Sequence, residues 1–162
     1  LGRLRLVDCR AAVSDEDIRY QRSRFSTRLR ADRLYTSGHY WLQRQVGDLW
    51  RVGLTRFALR MLGEVVELDF EVAPGAPVRV GQVIGWLEGF KAITDLYAIL
   101  PGRFEGPNPE LERQVSLVQT DPYGQGWLYA ARGSPDATCV DAQRYAAVLD
   151  ATIDKMLGER HG

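Results

Sequence analysis

Trp86-Leu87-Glu88-Gly89-Phe90-Lys91-Ala92-Ile93-Thr94-Asp95-Leu96-Tyr97 is the stretch on which the fold turns. Two hydrophobic, strand-like runs flank Lys91, with a glycine just before it and acids, Glu88 and Asp95, on either side. The pattern predicts a β-hairpin that presents an amine at its tip. The residue type matters as much as the position. The chain holds 21 basic residues, of which only Lys91 and Lys155 are lysine, leaving nineteen arginines (21 − 2). A guanidinium stays protonated and is a poor acylation target, whereas an ε-amine can lose its proton and accept an acyl group. An ordinary surface turn also exposes lysines, so the rest of the chain has to decide between the two readings.

The 162 residues are 45% hydrophobic with charges that cancel, which suits one substantial core plus appendages. A balanced charge gives no reason to expect nucleic acid or an anionic membrane as partner. The local exception is the segment holding Arg19, Arg22, Arg24, Arg28, Arg30 and Arg33, diluted by Asp15, Glu16, Asp17 and Asp32. It reads as a solvated or domain-wrapping arm. Cys9 and Cys139 belong to no ligand-spaced cluster, so neither a zinc site nor a disulfide framework is indicated, and a reducing compartment fits. With His39 and His161 the only histidines, a multi-histidine metal site cannot be built and hydrolase readings are weak. No apolar stretch reaches membrane-spanning length, and the start lacks the apolar core of a secretory signal. A first residue of Leu rather than Met is consistent with a processed or trimmed start.

Working outward from the hairpin, residues 83–87 lead into the lysine tip and 92–98 return from it. Upstream, Val66, Leu68, Phe70 and Val72 alternate with Glu67, Asp69 and Glu71, a half-buried strand. Before that, Thr55 caps a short helix ended by Gly63, and Tyr40–Arg44 and Leu49–Leu54 form strands joined across Val46-Gly47-Asp48. Residues 78–80, 103–106 and 127–132 read as short strands, 107–113 as a loop or short helix, and Asp121-Pro122-Tyr123-Gly124-Gln125-Gly126 as a glycine-rich turn. At the C-terminal end, Tyr145, Leu149, Ile153 and Met156 recur at helical spacing up to a stop at Gly158. The domain reading is a polar Arg-rich extension over 1–33, packed loosely on a domain over 34–133, and a helical segment over 134–162. Trp41, Trp50, Trp86 and Trp127 serve the core, and the arginines from Arg3 to Arg33 form a solvated surface.

Four pieces in order resemble the H protein of the glycine cleavage system. They are Tyr35-Thr36-Ser37-Gly38-His39-Tyr40-Trp41; Val52-Gly53-Leu54-Thr55-Arg56-Phe57-Ala58 leading to Leu62-Gly63-Glu64-Val65-Val66; Glu88 through Asp95; and Asp121-Pro122-Tyr123-Gly124-Gln125-Gly126-Trp127-Leu128. The resemblance implies a mainly β fold, a flattened β-barrel sandwich of the lipoyl/biotinyl-carrier hybrid type with short peripheral helices and a C-terminal helix. It implies lipoate, covalent on Lys91, with Glu88, Gly89 and Asp95 as a recognition turn. The neighbours Phe90 and Ala92, in place of the methionines of a biotinyl domain, favour lipoate over biotin. His39 is either a lining residue of the arm's cleft or a structural histidine behind Trp41, and Gly89 serves either a left-handed turn or clearance.

The resemblance further implies a carrier that catalyses nothing itself. A lipoate ligase or lipoyltransferase would load it. Glycine decarboxylase, aminomethyltransferase and dihydrolipoyl dehydrogenase would act on the arm, moving an aminomethyl group between partners in the cytoplasm, or the mitochondrial matrix in a eukaryote. Two departures point elsewhere. The attachment turn reads Glu88-Gly89-Phe90-Lys91-Ala92 where the family usually has Glu-Ser-Val-Lys-Ala, and His39-Tyr40-Trp41 replaces His-Glu-Trp, altering the surface on which a loaded arm would rest. They keep open a lipoate-binding carrier serving sulfur-oxidation enzymes of the heterodisulfide-reductase-like type. A third reading, an unmodified interaction domain that has lost the arm, is opposed by the retention of Lys91 amid so much arginine.

Overall fold

Alternating apolar residues pair the strands into two main sheets. The structure, a computed structural model, describes residues 16–161, with side chains as far as Glu159. The larger sheet is antiparallel and runs in the order β3 (Leu34–Tyr35), β4 (Tyr40–Arg44), β5 (Leu49–Leu54), β11 (Tyr129–Gly133), β10 (Gly102–Pro107) and β7 (Pro77–Val78). The smaller is an antiparallel trio, β6 (Val65–Phe70), β8 (Val83–Gly89) and β9 (Ile93–Tyr97). Leu42, Val52, Phe104 and Tyr129 from the first pack with Ile84, Leu87 and Leu96 from the second in one core. Short helices close it: Ala58, Leu59 and Leu62 come from α1 (Arg56–Leu62), Leu111 from α2 (Glu110–Arg113) and Val118 from α3 (Leu117–Thr120). With α4 (Ala142–His161), this is the flattened β-sandwich with peripheral and C-terminal helices that the resemblance implies.

A second core lies outside the sandwich. The hairpin of β1 (Ile18–Arg22) and β2 (Phe25–Leu29) buries Tyr20, Phe25 and Leu29 with Tyr35, Trp41, Phe57, Tyr145, Leu149 and Ile153. The Tyr20 hydroxyl donates to Asp150 at 2.7 Å, and Arg22 grips Asp154 through two nitrogens at 2.8 Å. Among the described residues, no helix is long and apolar enough to cross a membrane.

Several local readings change. The segment over 18–29 is a packed hairpin, and what was expected of residues 1–15 lies outside the described residues. Arg33 is buried beneath the surface, its guanidinium 4.9 Å from the Trp41 ring centroid and donating to the Tyr123 carbonyl. Of the four tryptophans Trp41 alone is fully buried, the others being half-buried. A register shift between Val65 and Glu67 turns Val65 inward and leaves Val66 exposed, which breaks the expected alternation. The strand expected over 78–80 is confined to Pro77–Val78. Helix α4 continues past Gly158 to His161; a glycine in a helix costs about 1 kcal/mol against alanine and does not by itself end one.

Candidate functional site: the Lys91 hairpin

Lys91 sits in the turn between β8 and β9, exposed to solvent. Hairpin turns of two residues usually rely on positive φ angles. None of residues 89–92 has one. The turn is closed by the Gly89 N–H donating to the Ala92 carbonyl at 2.9 Å, and is braced from outside by the end of α1 and by Glu64 just beyond it.

The brace uses the carbonyls that a helix leaves unpaired at its C-terminal end. Thr55 starts α1 by accepting from the Ala58 N–H, and Gly63 stops it at φ +76°, a conformation that suits glycine. The Leu62 carbonyl then accepts from the Lys91 N–H at 2.9 Å, and the Glu64 carbonyl from the Phe90 N–H at 3.0 Å. The Lys91 ammonium itself donates to the Arg60 carbonyl at 3.2 Å. Gly89 lets the two elements approach this closely: a Cβ there would lie 2.2 Å from the Leu62 carbonyl oxygen. Of its two roles, clearance is the one the geometry shows.

A cleft of about 360 Å³ opens beside the amine, walled by Arg56, Leu59, Gly63, Glu64 and Gln119 and, from the N-terminal hairpin, by Phe25 and Ser26. Gln119 reaches across to donate to the Gly63 carbonyl at 3.3 Å. Phe90 and Ile93, 76% and 72% exposed, flank the amine with unburied apolar surface.

Glu88 and Asp95 are on the strands of the hairpin. Across the small sheet Glu67 stands opposite Glu88, while Asp69 and Asp95 flank Trp86 on the two neighbouring strands. Two carboxylates directly opposite each other oppose folding by a few tenths of a kcal/mol, so this acidic strip is not there to hold the sheet together.

His39 is elsewhere. It adopts φ +71°, its Nδ1 lies 2.8 Å from the Tyr145 hydroxyl, and its ring packs 4.7 Å from Phe57. That hydroxyl also lies 2.9 Å from the Thr55 Oγ1 that caps α1. His39 is thus at the helix's start and Lys91 at its end, about 10 Å away at 1.5 Å per residue. His39 is not among the residues walling the cleft. Burial pushes its pKa down to about 4, so it is neutral at physiological pH. Tyr40 is buried as well, its hydroxyl accepting from the Tyr97 N–H at 3.1 Å; it belongs to the core and does not form part of a surface for the arm. Among the described residues, no group of three or more His, Cys, Asp or Glu side chains could hold a metal ion.

Sequence reasoning missed the carbonyls of Arg60 and Leu62, the hairpin residues Phe25 and Ser26, and Gln119 on α3. Only the Thr55–Gly63 capping signal hinted that a helix end was available; its meeting with Lys91 is tertiary.

Comparison with known proteins agrees on one family. The family model described as "Glycine cleavage H-protein" matches residues 33–151. The glycine cleavage system H protein of Mycobacterium leprae is 39% identical over 126 residues, covering 74% of this chain and 95% of that one. The H protein of Mycobacterium tuberculosis is 37% identical over 128 residues with the same coverage. Among solved structures, a glycine cleavage system H protein from Mycobacterium marinum superimposes with a TM-score of 0.65 at 31% identity, covering 72% of this chain and 94% of that one.

Proposed function

The chain belongs to the glycine cleavage H-protein family, and from that premise we propose that Lys91 is the residue on which it carries lipoate. The carrying observation is the amine itself: an exposed lysine at a hairpin tip, fixed through main-chain bonds to α1 while its side chain reaches a helix-end carbonyl. The residues present fit the group. An acylated ε-nitrogen keeps one N–H for the Arg60 carbonyl, and the adjoining cleft offers room for a chain leaving that nitrogen. When bound, lipoate supplies a strained cyclic disulfide that opens by thiol–disulfide exchange.

This chain's residues position and present. Leu62 and Glu64 hold the turn, Gly89 and Gly63 permit the close approach, and Glu88 and Asp95 mark the hairpin for the lipoate-attaching enzyme, a ligase or lipoyltransferase. We assign His39 to positioning the start of α1. As a carrier subunit, the protein serves glycine decarboxylase and aminomethyltransferase, with dihydrolipoyl dehydrogenase acting on the reduced arm, in the cytoplasm. The comparisons favour this reading over the sulfur-oxidation carrier.

The test is production with a competent lipoate ligase, followed by intact-mass and peptide mass spectrometry on the wild type and Lys91→Arg. The expected result is one lipoyl group on the peptide containing Lys91, absent from the variant. Lipoate on Lys155, or none at all, would overturn the assignment.

A further inference from the structure

A second cavity, of about 300 Å³, lies on the other side of Arg60 and Phe25, which line both it and the Lys91 cleft. Its apolar walls are Phe25, Phe57, Met61, Ile153, Met156 and Leu157. Two observations set it apart. Phe25 lies before, and Ile153, Met156 and Leu157 beyond, the residues 33–151 that match the family, so four of its six apolar wall residues come from outside the matched stretch. The chain's two methionines, Met61 and Met156, both line it. Thioethers are polarizable and adaptable, suited to a bulky sulfur-containing guest.

Continuity with the attachment site names the guest. The Lys91 ammonium ends at the Arg60 carbonyl, so an acyl chain leaving that nitrogen starts at the helical turn whose Arg60 and Met61 wall the chamber. The charged residues lining it are Arg22, Arg24 and Arg60, with no carboxylate among them. Asp150 and Asp154 are already engaged by Arg22, so a cationic cargo would find no carboxylate of its own in the lining, whereas an uncharged cyclic disulfide meets apolar wall.

We infer that this chamber, roofed by the N-terminal hairpin and the tail of α4, is the resting site of the oxidised dithiolane end of the arm. The inference rests on lipoylation of Lys91. In the full chain labelled at its methionine methyls, the resonances of Met61 and Met156, assigned with Met61→Leu and Met156→Leu, should both shift when Lys91 is lipoylated. Met156 is decisive because it lies on α4, away from the helix that braces Lys91. In parallel, dithiothreitol should reduce the arm at least about threefold more slowly in the wild type than in Met156→Lys, since a hidden group reacts only in proportion to its exposed fraction. A Met156 methyl that does not move in protein shown by mass spectrometry to be fully lipoylated on Lys91 overturns the inference and leaves the attachment intact. A chain that takes no lipoate on Lys91 overturns both.

Discussion

Gly53→Ala should destabilise the protein sharply through one indole ring. Gly53 is paired across the sheet with Trp41, and a Cβ at position 53 would lie 2.4 Å from two carbons of that ring. The ring cannot swing aside without loss, because it is fully buried, its Nε1 donates to the Pro122 carbonyl at 3.0 Å, and the Arg33 guanidinium covers its face. Overpacking costs about 1–3 kcal/mol, an orphaned buried hydrogen bond about 1–3 kcal/mol, and a displaced cation–π contact about 0.5–2 kcal/mol. Allowing for overlap among these, the expected loss is about 3–5 kcal/mol, a fall in Tm of roughly 6–20 °C for a chain of this size. Urea unfolding followed by near-ultraviolet circular dichroism measures it. Pairing the change with Trp41→Leu tests the cause, for if the ring is the obstacle the double variant loses clearly less than the sum of the two singles. A Gly53→Ala protein within about 1 kcal/mol of wild type, or strictly additive losses, would refute the reasoning.

The pH dependence of stability should carry the mark of His39. Its folded pKa is depressed to about 4 from an ordinary 6.5, so the neutral ring contributes fully above pH 6.5 and its contribution is lost as pH falls towards 4, because the unfolded chain takes up the proton first. The fall is about 2–3 kcal/mol; denaturation at pH 7, 5.5 and 4 should show it in the wild type and not in His39→Asn, which tolerates the positive φ, and equal pH slopes in the two would count against it. Replacing the exposed Asp95 by lysine should slow lipoylation several-fold while unfolding stays within about 0.5 kcal/mol of wild type, as exposed substitutions usually do. The half-buried Glu88, replaced by lysine, should slow it likewise and keep stability within about 1 kcal/mol, since the change also removes the like-charge pairing with Glu67. Unfolding in step with the lost modification would make these acids structural.

The strands and helices that were legible in the sequence are those with their own local signal: Tyr40–Arg44 and Leu49–Leu54 with a turn between them, α1 with a threonine cap and a glycine stop, and the lysine hairpin. The N-terminal hairpin was not legible, because β1 buries a single residue, Tyr20, and β2 only Phe25 and Leu29, amid a run of arginines. Helix α3 is four residues long, too short to show a helical period. The burial of Tyr40 and Arg33 was illegible for another reason. Each polar group finds its partner, the Tyr97 N–H or the Tyr123 carbonyl, far along the chain, and hydropathy prices a residue without its partner.

The same distinction accounts for the candidate site. The composition of the lysine turn announces exposure, and exposed it is. What cannot be read from residues 86–97 is why the amine has a defined position there, since the turn supplies only one of its own hydrogen bonds and no special backbone angle. The Arg60 and Leu62 carbonyls at the end of α1, which any helix end leaves free, and the Glu64 carbonyl just past its glycine stop supply the rest, backbone properties with no side-chain signature. Two consequences follow. The side chains of Phe90, Lys91 and Ile93 carry little of the fold, which leaves them open to be read by another protein. Loosening α1 at either end should also loosen the amine: Thr55→Ala, at the cap about 10 Å away along the helix, should speed hydrogen exchange at the Lys91 N–H more than at the Leu87 N–H within β8. Equal changes at the two would mean that the hairpin holds its tip unaided.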